Sequence, residues 1–177
     1  TGINPLPSVT VSGGTRSVFD ATIAGTLDLT GGNLAIQDNS TIAVSGAASL
    51  VGGTLDFDDT SPGLEILDVN GGCNVTAAAG LNSANSPFHC AGNWTSNATG
   101  GPALGEIVRA GGTTTTVGGT SPSVANMRVA SGNKTITVAT TILDDLSVDS
   151  GATLTSNAVL AIGDDVVLGD GTSSWNI

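Results

Sequence analysis

The sequence predicts an all-β chain folded as a β-solenoid, a β-helix-like stack of short strands with glycine turns. Three observations predict it: helix-forming residues are scarce, short alternating apolar runs recur, and glycine pairs punctuate them. Of 177 residues, 26 are glycine, while charged residues make up 11% and aromatic residues 3%. Gly, Thr, Ser, Val and Asn are mediocre to poor inside helices, and the good helix formers Glu, Lys, Arg, Gln and Met are nearly absent. A hydrophobic content of 39% separates the chain from disordered sequences of similar polarity. The length suits one domain, so residues 1–177 are read as a single all-β unit.

The strand-like runs follow one another with an apolar face on each. Thr26-Leu27-Asp28-Leu29-Thr30 runs into Gly31-Gly32, Leu34 and Ile36 follow, then Ile42 and Val44 precede Gly46, and Leu55 and Phe57 follow Gly52-Gly53. Downstream the pattern returns at Ile136 and Val138, Leu146 and Val148, Leu160 and Ile162, and Val166-Val167-Leu168 before Gly169. Double glycines fall at Gly13-Gly14, Gly31-Gly32, Gly52-Gly53 and Gly71-Gly72, in steps of 18, 21 and 19 residues. A repeat of about twenty residues holding two or three short strands is what one solenoid coil requires, with glycine at the corner. An antiparallel β-sandwich or jelly roll is the alternative arrangement of the same strands. Phe19, Phe57, Phe88, Trp94 and Trp175 are expected as core fillers or end caps.

The period lapses after Gly71-Gly72, because the next pair is Gly100-Gly101. Residues 73 to 99 are therefore expected to form a loop excursion from the stack, held by a disulfide between Cys73 and Cys90. No other Cys, and no His at metal-ligand spacing, competes for these thiols. A bond of this kind persists in an oxidising compartment, which places the chain outside the cell, secreted or at the cell surface.

Gly92-Asn93-Trp94-Thr95, Asn126-Met127-Arg128-Val129, the run from Leu146 to Leu154 and Ile162-Gly163-Asp164-Asp165-Val166 resemble β-solenoid repeats of large secreted bacterial surface proteins. These are repeats of the β-helix adhesin and filamentous-haemagglutinin type. The resemblance implies a right-handed parallel β-solenoid, no catalysis, and a role as a surface spacer, fibre or adhesin. It also reaches solenoid polysaccharide lyases and hydrolases, which use carboxylates or basic residues on a concave strand face. Glu65 and Glu106 are the only glutamates, and the aspartate pairs Asp58-Asp59, Asp144-Asp145 and Asp164-Asp165 are adjacent in sequence. Adjacent residues of a strand point to opposite faces, so such a pair does not flank one glycosidic bond. His89, the single histidine, lies beside Cys90 and is read as a loop-surface residue rather than a triad base. No catalytic residue and no resident cofactor is expected. Calcium has limited support from the acidic turns at Asp56, Asp58 and Asp59 and at Asp164, Asp165 and Asp170, whose spacing matches neither an EF-hand nor the nonapeptide calcium repeat.

A net charge of −11 with four Lys and Arg removes the electrostatic footing for nucleic acid, and no stretch has the apolar length of a membrane-spanning helix. The expected partner is another copy, in a homo-oligomer or filament. Solenoid ends carry unpaired strand edges, here Val9 and Val11 within Ser8-Val9-Thr10-Val11 and Val166 and Leu168 at the other end. A glycan, cell-surface ligand or ice is the alternative partner, met by a threonine-lined face from Thr113-Thr114-Thr115-Thr116, Thr135/Thr137 and Thr153/Thr155. Sequons begin at Asn39, Asn74, Asn93, Asn97 and Asn133.

Overall fold

A computed structural model describes residues 4–57, 64–76, 80–82, 87–96, 106–109, 115–119, 123–124, 126–170 and 172–176. Among them there is no helix, and every strand pairing is parallel, which establishes the β-solenoid and sets aside the antiparallel sandwich. The chain winds through up to three short strands per coil. The first face stacks Val9–Val18, Leu27–Ile36, Ala48–Phe57, Cys73–Val75, Trp94–Ser96, Thr115–Gly119, Asn133–Ile136, Thr153–Ser156 and Ser174–Asn176. Another face stacks Ala21–Ile23, Thr41–Val44, Ile66–Val69, Pro87–Cys90, Glu106–Arg109, Asn126–Val129, Leu146–Val148 and Val166–Leu168. Between them lies a third face, formed in the later coils by Ser123–Val124, Thr140–Ile142 and Leu160–Ile162.

In the early coils one ten-residue strand covers two faces, because a glycine bends it midway. Gly14, Gly32 and Gly53 stand at φ of 65°, 73° and 74°, and the pairing register shifts beside them. A side chain at Gly32 would be strained by that φ and would also collide with Gly14 O. The bend is therefore written into the sequence as a stacked glycine column.

Alternation along each strand sends every second residue inward, and the parallel register converts these residues into columns. Val9, Leu27, Ala48, Cys73 and Trp94 stack in one such column, in steps of 18, 21, 25 and 21 residues. Leu27, Leu29, Leu34, Ile36, Ile42, Leu50 and Leu55 are fully buried, as are Ile136, Leu146 and Leu154 further along. Inward positions are not uniformly apolar: Lys134, in register with Thr115 and Leu154, is buried, and Glu65 is buried where a strand begins.

The expected excursion at 73–99 is corrected by the pairing. Cys73–Val75, Gly80–Asn82, Pro87–Cys90 and Trp94–Ser96 all run in register with their neighbours in the stack. The glycine period misled because Gly71 does not belong to the column of Gly52-Gly53. It lies in a second column, Gly25, Gly46, Gly71 and Gly92, at a different corner of the coil, where each backbone rests on the one before. Residues 77–79, 83–86 and 97–99 lie outside the described residues.

Within this coil Cys73 and Cys90 form the disulfide, with Cα atoms 6.3 Å apart. Both are buried, so the bond crosses the interior between two faces and does not staple a surface loop. Phe88 and Trp94 pack beside it edge to face, ring centroids 5.1 Å apart. Trp94 is only 2% exposed and Phe57 is equally buried, as core fillers, whereas Phe19 is exposed and Trp175 is half-buried against the core. His89 is corrected as well: it sits on a strand, facing outward, with Nδ1 3.8 Å from an Asp68 carboxylate oxygen.

Candidate functional site

The last described coil comprises Leu160–Ile162, Val166–Leu168 and Ser174–Asn176. Leu160, Ile162, Val166, Leu168 and Trp175 stand in register over Thr140, Ile142, Leu146, Val148 and Leu154, all of them buried. They are the last layer of the core columns. Val166 is 38% exposed and Leu168 48%.

Backbone polarity at this end follows from the same pairing. The Leu146 N–H donates to Asp165 O, and the Gly169 N–H donates to Val148 O. Asp165, Val167 and Gly169 thus face the preceding coil. Hydrogen-bonding direction alternates along a strand, so Val166 and Leu168 present N–H and C=O away from the stack. On the middle face Thr140 N–H donates to Val159 O and Gly163 N–H to Ile142 O, leaving Leu160 and Ile162 in the same situation.

Beside this edge lies an acidic corner. Asp144, Asp145 and Asp164 bring carboxylate oxygens within 4.8 Å of one another at the surface. Adjacency in sequence hid this grouping; the stacking of residue 144 under residue 164, a spacing equal to one coil, creates it, and Asp164 N–H donates to Asp144 O. Asp145 is also structural: its Oδ1 accepts the Asp165 N–H at 3.1 Å, as Asn126 Oδ1 accepts the Asp145 N–H at 3.0 Å. Such an oxygen set suits hard cations or cationic side chains. Of the other acidic residues singled out from the sequence, Asp56 lies on a strand, and Asp58 and Asp59 lie outside the described residues. Asp170 forms a tight turn in which Ser150 Oγ, Thr172 Oγ1 and Thr172 N–H donate to its carboxylate. These hydrogen bonds, the one from Ser150 foremost, hold its pKa down to about 2.

The N-terminal end is built otherwise. Leu6 bridges to Ile23, donating its N–H to Thr22 O and accepting from the Ala24 N–H. Leu6 covers an apolar cavity of about 40 Å³ bordered by Val9, Val18 and Ile23. Val11, expected as an assembly contact, is buried, and Val9 is half-buried with its N–H donating to Thr26 O. The outer neighbours of Leu6 are Pro5 and Pro7.

Along the first face, the outward side chains Ser49, Asn74 and Thr95 stack on consecutive coils. Together with Asn93 they border a shallow groove of about 260 Å³. Of the expected threonine face, Thr116, Thr135 and Thr155 stand in register on three consecutive coils, while Thr137 falls beyond the end of its strand. Thr113 and Thr114 lie outside the described residues. No protein-family model, curated protein or solved structure matches this chain.

Proposed function

We propose that the chain is an extracellular structural module, a rigid β-solenoid segment of a larger surface or adhesive assembly. The observation that carries this reading is the stack of parallel coils around continuous buried aliphatic columns. A solenoid is stable as a pile of layers that bury one another's apolar faces, which suits a rigid spacer. The buried Cys73–Cys90 bond supports an oxidising location. Resemblance of the repeats to bacterial surface solenoids supports the adhesive setting. Antibody labelling of intact source cells, with and without lysis, tests it: label gained only after lysis, or turnover of an acidic polysaccharide by the pure protein, would overturn the reading.

A glycan-binding role is the second reading, favoured by the polar groove of Ser49, Asn74, Asn93 and Thr95 on the first face. Stacked strands repeat at about 4.8 Å, a spacing that lets successive side chains meet successive groups of a chain ligand. Binding on a glycan array that Asn74→Ala and Thr95→Ala abolish would establish it.

A further inference from the structure

We propose that Asn70-Gly71 is a covalent modification site, at which Asn70 converts to isoaspartate when the corner between Gly46 and Gly92 opens and so prevents the coil from closing again. Of the asparagines in the chain, only Asn70 is followed by glycine. This pairing favours ring closure, because no side chain shields the backbone nitrogen that follows the asparagine. The Gly71 nitrogen attacks the Asn70 Cγ, a C–N bond forms, the Cγ–Nδ2 bond breaks, and ammonia leaves with the Gly71 amide proton. Water then opens the succinimide. Opening at the main-chain carbonyl yields isoaspartate, whose main chain runs through one additional carbon.

The two residues differ in what the fold asks of them. Gly71 is required: it packs against Gly46, and a Cβ there would stand 2.5 Å from Gly46 O. Asn70 is not required. Ahead of the other glycines of this column the coils place Ala24, Ser45 and Ala91. The backbone bonding is equivalent, since Ser45, Asn70 and Ala91 donate their N–H groups to Ile23 O, Val44 O and Val69 O. Asn70 is also exposed, so water reaches its amide.

In the closed coil the attacking nitrogen is committed elsewhere. The Gly71 N–H donates to Gly46 O at 2.9 Å, and Gly71 O accepts the Gly92 N–H at 2.9 Å, so the backbone is held from both sides. Attack on Cγ needs the first bond broken and the peptide plane turned, which is a local opening of the stack. The Cys73–Cys90 bond guards the same rung, with Gly71 two residues before Cys73 and Gly92 two residues after Cys90. Once formed, isoaspartate lengthens the path from Val69 to Cys73. Val69 is in register with Cys90, and Cys73 with Trp94, so the longer path does not restore both pairings.

Wild type, a Cys73→Ala/Cys90→Ala variant and Asn70→Ser, which carries the residue found at this corner in the preceding coil, are held in mildly alkaline buffer with and without urea. Released ammonia is measured, and peptide mapping by mass spectrometry locates the amide-to-acid change. The oxidised, folded wild type is expected to convert Asn70 at least about tenfold more slowly than the urea-unfolded chain, with the cysteine variant, its fold checked by circular dichroism, in between. Sub-denaturing urea supplies the same partial opening without a substitution. After urea is removed, converted wild type melts below the untreated protein, while Asn70→Ser taken through the same cycle recovers its melt. Three results overturn the proposal: equal conversion in the folded and unfolded chains, no conversion at Asn70 in urea, or a converted chain that regains the wild-type melt.

Discussion

Asp145 Oδ1 accepts the backbone N–H of Asp165, one coil further along, at 3.1 Å. The same corner carries the contact from Asn126 to Asp145, and at the other end of the stack Asp20 Oδ1 accepts the Thr41 N–H at 2.9 Å. A short side-chain acceptor at this corner ties these coils to their successors where the strand ladder pauses. Asp145→Ala removes the acceptor and is expected to cost about 1 kcal/mol, whereas Asp145→Asn keeps an oxygen and loses less. Urea unfolding of the two variants measures the difference, and equal losses would show that the charge matters and the acceptor does not.

The Cys73–Cys90 bond spans 17 residues and lies inside the coil. Replacing both cysteines with alanine is expected to lower stability by about 3 kcal/mol, from the loop-closure entropy returned to the unfolded chain. Burial of both sulfur atoms predicts that mild reductant acts slowly on the folded protein and fast in denaturant. Thiol titration with and without urea checks this.

Gly71 rests on Gly46, and a Cβ at Gly71 would stand 2.5 Å from Gly46 O and 2.6 Å from Gly46 C. Both neighbours are backbone atoms, so no side-chain rotation relieves the clash. Gly71→Ala is expected to destabilise by about 1–3 kcal/mol. Gly151→Ala is a contrast, since its Cβ meets nothing within 4 Å and only the φ of 74° is strained. A denaturant midpoint for Gly71→Ala matching wild type would refute the packed glycine column.

Asp170 has a folded pKa of about 2, below the ordinary carboxylate range. A depressed carboxylate stabilises the fold above its unfolded pKa of about 3.9 and ceases to do so as pH falls through the folded value. The Ser150–Asp170–Thr172 turn is therefore expected to hold at pH 4 and to loosen on approach to pH 2. Carboxyl chemical shifts followed by NMR report it, with Ser150→Ala raising the Asp170 midpoint. A midpoint near 4 in the wild type would contradict the turn geometry.

Trp94 is buried, and among the described residues its indole N–H has no hydrogen-bond partner. Trp94→Phe removes that orphan donor together with some packing, and the two effects oppose, so a net change within about 1 kcal/mol is expected. Trp94→Ala should cost about 3–5 kcal/mol. Thermal melts of both variants compare them.

The fold class was legible in the sequence because a solenoid writes its cross-section along the chain. Leu27, Leu29, Leu34 and Ile36 alternate, so their strand faces are readable locally, and Gly31-Gly32 and Gly52-Gly53 mark the recurring bend. Which glycines share a corner was not legible. Gly52-Gly53 and Gly71 look like members of one series but occupy different columns, and this made residues 73–99 read as an excursion when their strands are stacked in register. Spacing along the chain does not distinguish corners when coil length varies from 18 to 25 residues.

The candidate site was half legible. Val166 and Leu168 stood out as a terminal apolar strand, whereas Val9 and Val11 looked equivalent and are not, since Val11 is buried. The local pattern of one strand says which residues face inward but not whether another layer covers them. By itself the sequence determined the all-β character, the inward alternation and the glycine bends, because these arise from backbone and side-chain preferences within a few residues. Only the tertiary structure decided the register of coils and the grouping of Asp144 with Asp164, because each depends on which residue, some twenty positions away, lies directly above.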